Sequence, residues 1–306
     1  MRPAEGPDHH ALFYHDQREY VTCVSDFVTK GLARGEPAFI AAPRRGLDLL
    51  RARLGPDSQR LTFADMAETG RNPARILPEL RAFIDHQNGG RARIVSESAW
   101  PERSAAELRE AIRHEALINL AFAEAQVSIL CPYVTAGLAR DVTRGVRHTH
   151  PAFVRSGLRQ TSHGYAGPGG VPSHCDAELP SPPGRAETMS YRAQLRDLRL
   201  LVAGHADRCG LPADRTASLV LAVGELSANT LRHTGGGGTL HVWHTHEEVL
   251  CQVQDQGWID DPLAGRRRRQ PIESGHGLWV VNQVCDLVEV RTGEAGTTIR
   301  LHMSLP

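Results

Sequence analysis

The chain has 306 residues, 41% of them apolar, and its 35 basic and 35 acidic side chains balance to a formal charge of +0. That length suits about two ordinary domains, each with enough apolar material for a core. Neutrality removes any global pull toward nucleic acid or anionic membrane. No apolar run reaches the roughly 18 residues that span a bilayer, and MRPAEGPDHH does not read as a signal peptide, so a cytoplasmic protein is expected. Lys30 is the single lysine against 34 arginines, and its context, VTKGLARG, lacks the GK[ST] pattern, which excludes a working phosphate-binding P-loop. The six cysteines form no CxxC pair, so they read as small buried hydrophobes rather than as a zinc ribbon or redox motif.

In chain order, a helix is predicted from about Asp16 to Ala33, then a buried strand at PAFIAAP (37–43). GLDLLRARL reads as a short helix and RLTFAD as a strand. Pro73 to His86 is helical, RARIVSES (91–98) a strand, Ser104 to Ala123 a helix, QVSILCP (126–132) a strand, and Thr135 to Arg144 a closing helix. Near-continuous apolar strands alternating with helices argue an α/β domain with a parallel sheet. The stretch from about Val154 to Thr188, with SHGYAGPGGVPSHCDAELPSPPGR, is rich in Gly, Pro and Ser, lacks periodicity and reads as a linker. Beyond it, YRAQLRDLRLLVAGHADRCG puts Leu195, Leu198, Leu201 and Val202 on one helical stripe, and Ala213 to His233 forms a second helix ended by GGGG. TLHVWHTH and EVLCQVQD alternate with period two and form an antiparallel hairpin, GLWVVNQVCD is a helix, and LVEVRT and TTIRLHM are two further strands. Helices on one face of a mixed, mainly antiparallel sheet make this half α+β.

Within the second helix, GELSANTLRH carries Glu225 and Asn229 at i and i+4. That spacing stacks a carboxylate and an amide one turn apart on one face. A helix that only packs would place apolar residues there, because an unpaired buried polar group costs about 1–3 kcal/mol. Three more patches follow: Asp255-Gln-Gly257 at a strand end, Gly275-His276-Gly277-Leu278 before a helix, and Gly296-Thr297-Thr298 opening the last strand.

In that order and spacing, ELSANTLRH, DQGWIDDP, SGHGLWVVNQVCD and GTTIRL resemble the GHKL-type (Bergerat) ATPase sandwich, and within it the anti-sigma-factor serine kinases of the RsbW/SpoIIAB type. The resemblance covers about residues 190–305 and implies ATP and Mg2+ as ligands. It makes Asn229 the metal ligand through its carbonyl oxygen, since Mg2+ takes few protein oxygens. Glu225, one turn earlier, would serve as general base toward a hydroxyl near the γ-phosphate. Asp255 would accept from the adenine amino group, Gly257 would let the backbone approach the base, and Thr297 would contact adenine beside the aspartate. Gly275, His276, Gly277 and Leu278 lie at a helix N-terminus, where free N–H groups suit phosphate oxygens. Arg232 and His233 either reach phosphate or form a solvated helix end. Arg266 to Arg269 read as a solvated charge run or as a contact with phosphate or an acidic partner.

Trp258 and Ile259 follow Gly257 where the family usually continues with another glycine. His205 lies on a core-packing helix, and no phosphoacceptor histidine precedes the domain, which argues against a histidine kinase. The leading expectation is a serine/threonine protein kinase acting on a STAS-type anti-sigma-factor antagonist or holding a sigma factor. The alternative is a non-catalytic, ATP-gated module that sequesters either protein. Pairing of homologous kinases through this domain implies a homodimer.

HHALFYHDQREYVTCVSDFVTKGLARGEPAFIAAP, IVSESAW, ILCPYV and HTHP resemble the MEDS sensory domain over about residues 9–152. The resemblance implies a RecA/KaiC-like sheet without a phosphate loop. The expected layout is a sensory domain over 9–152, a flexible linker over 153–188 and the kinase-like domain over 189–306. Glu97 ends a predicted buried strand, where ligands collect in α/β sheets, and His9, Tyr14, His148 and His150 are candidates to join it. Structural histidines, a small-molecule sensor pocket, and a metal site from His148, His150 and Glu97 are the readings left open.

Overall fold

The computed structural model describes residues 7–87, 89–267 and 276–306. Two compact units divide the chain, one ending at Asp176 and the other spanning Ala177–Pro306.

The first unit runs β1 (Asp8–Tyr14), α1 (Gln17–Leu32), β2 (Ala38–Ala42), α2 (Arg44–Leu54), β3 (Leu61–Asp65), α3 (Ile76–Asp85), β4 (Ala92–Ser96), α4 (Ala105–Ala121), β5 (Val127–Val134), α5 (Arg140–Thr149), β6 (Ala152–Arg155), β7 (Leu158–Thr161) and α6 (Ser173–Asp176). Its seven strands lie in the order β3-β2-β4-β5-β1-β6-β7, parallel except for the β6–β7 pair. β2 and β4 are buried at every position, as strands covered on both faces must be. Helix starts follow local chemistry. Asp16 accepts from the Glu19 amide at 2.8 Å, and Ser104 and Glu107 form a reciprocal capping box that opens α4. One face of the sheet packs Leu12, Ile40, Val95 and Leu130 against Tyr20, Val24, Val28, Leu47 and Leu50.

Three features depart from the sequence reading. DHHALFY is a strand, β1, although its two histidines make it look polar; the alternation of faces in a sheet buries both. The predicted helix Thr135–Arg144 forms later, as α5, because Val142, Val146 and Thr149 supply its buried stripe. Residues 152–161, assigned in part to the linker, form the β6–β7 hairpin. Ser156 (φ 48°) and Gly157 (φ 74°) make its two-residue turn, the backbone such hairpins need.

The second unit contains β8 (Glu187–Tyr191), α7 (Leu195–Arg208), α8 (Ala213–His233), β9 (Gly238–His244), β10 (Glu248–Asp255), α9 (Gly277–Val284), β11 (Leu287–Gly293) and β12 (Gly296–Ser304). The sheet order is β11-β12-β10-β9-β8, antiparallel throughout. Tyr191, expected at the start of a helix, is the last residue of β8; Met189 and Tyr191 turn inward while Thr188 and Ser190 face solvent, a strand's period. The core joins Leu198 and Val202 of α7, Leu219, Val223 and Leu226 of α8, and Val281 of α9 to Leu240, Val253 and Leu301 of the sheet. Arg291 and Arg300 are buried beneath residues 177–180. The Ala177 carbonyl accepts from Arg291 Nε at 3.1 Å, the Pro180 carbonyl accepts from Arg300, and Gln252 Oε1 accepts from Arg300 Nε at 2.8 Å. Part of the expected linker thereby belongs to this unit.

Candidate functional site

The α8 helix buries Leu219, Val223, Leu226 and Thr230 and leaves Glu225 and Asn229 half-exposed on the adjoining stripe. Its end is set by Thr234, whose hydroxyl donates to the Thr230 carbonyl at 2.8 Å, and by Gly235 at φ 62°. Gly277, the first residue of α9, lies against both polar side chains. A Cβ built there would stand 2.9 Å from Glu225 Oε2 and 2.9 Å from Asn229 Nδ2. The carboxylate and the amide therefore flank a helix N-terminus whose cap residue, His276, makes no side-chain capping bond among the described residues, and first-turn amides of a helix suit an anion. Arg232 is exposed and donates to Asn229 Oδ1 at 3.4 Å. Gly275, Arg268 and Arg269 lie outside the described residues; Arg266 is buried and Arg267 exposed.

A second group forms where β10 ends. Asp255 Oδ1 accepts from the Gly257 amide at 2.8 Å, and the Thr297 hydroxyl donates to the Gly257 carbonyl at 2.9 Å. Thr297 is the cross-strand partner of Asp255. Gly296 permits that pairing: its φ is 106°, and a Cβ would fall 2.1 Å from the Asp255 carbonyl oxygen. Asp255 Oδ2 accepts from the Thr230 hydroxyl at 2.5 Å, and Thr230 Oγ1 accepts from the buried Tyr191 hydroxyl at 3.1 Å. Thr230 adjoins Asn229 in sequence, so this bond ties the strand-end aspartate to the helix that carries Glu225 and Asn229. Two of the roughly four lone-pair directions of Asp255 remain for a ligand donor. Leu278 packs on the core, and Asn282 of α9 donates to the Gly265 carbonyl at 3.1 Å, which ties the loop after β10 to α9.

In the first unit, Glu97 follows β4 and its carboxyl is pushed up to about 7 by burial, with the Tyr20 and Tyr14 hydroxyls beside it partly opposing the shift. His9 and His150 are not with it. Their Nε2 atoms lie 3.2 and 3.4 Å from Glu115 Oε2. Alternation along β1 sends His9 and Tyr14 to opposite faces of the sheet, so a single site of Glu97 with Tyr14 and the histidines does not form. His148 is half-buried.

Residues 8–151 match the family described as MEDS, the methanogen/methylotroph DcmR sensory domain, and residues 189–303 match the histidine kinase-like ATPase domain. The chain joins a MEDS domain to a histidine kinase-like ATPase domain. Over 107 residues it is 30% identical to the serine-protein kinase RsbW of Halalkalibacterium halodurans, a match covering 31% of this chain and 66% of that kinase. The crystal structure of the RsbU and RsbW domains of a Mycobacterium tuberculosis protein aligns at 17% identity and a TM-score of 0.30, over 39% of this chain and 33% of that one. The matched parts thus span less than two thirds of either relative.

Within the ATPase domain, the sequence reading missed Thr230 and Tyr191, which position Asp255, and Asn282, which holds the following loop. Thr230 carried a faint signal, a hydroxyl on an otherwise apolar helical stripe. Tyr191 carried none, because its strand was read as a helix. Among the described residues, no helix is long and apolar enough to cross a membrane.

Proposed function

We propose that the ATPase domain binds Mg-ATP between α8, the end of β10 and the N-terminus of α9. It transfers the γ-phosphoryl group to a serine or threonine of a STAS-type anti-sigma-factor antagonist. The convergence of Glu225 and Asn229 on Gly277 is the observation that carries this reading, because it sets a base and a neutral oxygen ligand beside an anion-binding helix end. Asp255, anchored by Thr230 and Gly257, would accept from the adenine amino group, with Thr297 beside it. The Asn229 carbonyl oxygen would hold the cation, which supplies charge neutralisation to the phosphates when bound. Glu225 would take the proton of the acceptor hydroxyl as it attacks. Arg232 lies close enough to Asn229 to meet phosphate charge. The MEDS domain, read as a RecA/KaiC-like sheet without a phosphate loop, would supply a small-molecule or partner signal that biases this activity. The kinship to RsbW supports partner-switching control of a sigma factor as the setting, and the working form would be a homodimer through the ATPase domain.

The test is transfer from labelled ATP to a STAS partner, with titration calorimetry for nucleotide binding. Wild type should bind ATP and phosphorylate the partner, and Glu225→Ala should bind ATP while losing transfer. A Glu225→Ala chain that still phosphorylates removes Glu225 from the base role. Binding without transfer in wild type favours the non-catalytic, sequestering version instead.

A further inference from the structure

The MEDS domain gathers four metal-ligating side chains at one buried point. His9 of β1, Glu115 of α4, Cys131 of β5 and His150, between α5 and β6, are 1%, 0%, 0% and 0% exposed. Their ligating atoms all lie within 4.8 Å of one another. His9 Nε2 is 3.2 Å from Glu115 Oε2 and 3.3 Å from Cys131 Sγ. His150 Nε2 is 3.4 Å, and Cys131 Sγ 3.3 Å, from the same carboxylate oxygen.

The bonds around the cluster decide where the ring protons sit. Asn119 Nδ2 donates to the Glu115 carbonyl at 3.2 Å and the Thr149 carbonyl at 2.7 Å. Its Oδ1 is therefore the atom 3.1 Å from His9 Nδ1, and an amide oxygen only accepts, so His9 Nδ1 carries the hydrogen. His150 Nδ1 faces the Val146 carbonyl at 2.8 Å, which fixes its hydrogen in the same way. With both Nδ1 atoms held this way, the two Nε2 atoms point at the same carboxylate oxygen of Glu115. Ser98 donates to the other oxygen, Oε1, leaving Oε2 turned inward. His150 Nε2 has no hydrogen-bond partner despite full burial. Two ring nitrogens, a thiol and a carboxylate oxygen thus face one buried point, the donor set that suits a zinc-type cation.

We propose that His9 Nε2, His150 Nε2, Glu115 Oε2 and the Cys131 thiolate form a closed four-coordinate site for a zinc-type divalent cation. Tetrahedral bonds of roughly 2.0–2.1 Å to nitrogen and oxygen and about 2.3 Å to sulfur separate the ligands by about 3.3–3.6 Å. Four of the six separations, at 3.2–3.4 Å, lie near that range, and the other two are within 4.8 Å. Two anionic ligands neutralise the dication, and the Cys131 proton passes to solvent on loading. The outward Nδ1–H groups, held by Asn119 and Val146, are the supporting bonds that metal-binding histidines use. With four protein ligands and no open position, the site is structural or sensory rather than hydrolytic. A second trio, His205, Cys209 and His244, is less buried, and both nitrogens of His205 are engaged, by Glu187 at 2.7 Å and by His244 at 3.2 Å.

Metal content measures the proposal on the full chain, purified without a metal-affinity tag and carrying His244→Ala to silence the second trio. About one zinc per chain is expected, and it should be lost in Cys131→Ser. Replacing the metal of the otherwise unaltered chain with Co2+ should add tetrahedral d–d bands and a thiolate-to-cobalt charge-transfer band, a readout that needs no variant to fold. Asn119→Ala should weaken cobalt binding roughly 10–100-fold by freeing the His9 ring. A folded chain that holds no metal and gives no thiolate–cobalt band overturns the site. So does a band that persists in Cys131→Ser.

Discussion

A single methyl group at Gly277 probes the proposed ATP site without removing any of its side chains. In Gly277→Ala the new Cβ would stand 2.9 Å from Glu225 Oε2 and from Asn229 Nδ2, where ordinary contact begins near 3.4 Å. Each side chain must therefore retreat by about 0.5 Å or more. Both are the half-exposed ends of flexible side chains, so the retreat costs little folding energy. Replacing glycine also lowers the entropy of the unfolded chain, worth about 0.4–1 kcal/mol. Stability should then stay within about 1 kcal/mol of wild type. Rate should not, because a displacement approaching 1 Å at a reacting group costs up to roughly 100-fold. Gly296→Ala is the contrasting variant. Its φ of 106° and a Cβ 2.1 Å from a backbone oxygen leave nothing flexible to move, so a loss of about 2–5 kcal/mol is expected. Urea unfolding and phosphoryl transfer to a STAS partner, run on both variants, separate the effects. A folded Gly277→Ala chain with wild-type transfer would refute the proposed role of the contact between Gly277 and the Glu225–Asn229 pair. Unfolding of Gly277→Ala to the same extent as Gly296→Ala would show that the glycine serves packing instead.

Thr230→Val keeps the side-chain shape but strands the Tyr191 hydroxyl and Asp255 Oδ2, so a loss of about 1–3 kcal/mol is expected together with weaker ATP binding by calorimetry. Unchanged stability and affinity would take Thr230 out of the site. His302 of β12 gives the ATPase domain a pH dependence. Burial alone would depress it, but hydrogen bonds to Glu248 at 3.0 Å and Glu289 at 3.1 Å win and raise it to about 9; Glu289 is itself paired with Arg291 at 3.8 Å. A histidine raised from 6.5 to about 9 stabilises fully below pH 6.5 and loses that contribution as pH rises through 9, an upper bound of about 3 kcal/mol. Urea midpoints between pH 6 and pH 10 should fall in wild type and stay flatter in His302→Gln; equal slopes would remove His302 as the cause.

What could be read from the sequence and what could not differ by the range of the contacts involved. Glu225 and Asn229 were legible because one helical turn brings them together, and no other part of the chain is needed to see it. Asp255 and Thr297 pair across a regular antiparallel ladder, which an alternating pattern also announces. Thr230 was missed because its meaning depends on Asp255 arriving at hydrogen-bond distance from a different element. The same limit governs the MEDS domain more severely. Glu97, His148 and His150 look like neighbours when only strand ends are compared. Yet the sheet order places β1 between β5 and β6, and this brings His9, Cys131 and His150 together from three places in the chain. Which face each side chain takes is then settled by alternation: His9 turns toward Glu115 of α4, while Tyr14, five residues on, turns the other way toward Glu97. A reader of the sequence could assign the alternation but not the strand order, because parallel strands are set by crossover connections rather than by a local turn. Chemistry carried on one helix survives in the sequence as spacing. Chemistry assembled by sheet order has to be seen folded, and the four buried ligands of the MEDS domain are of that second kind.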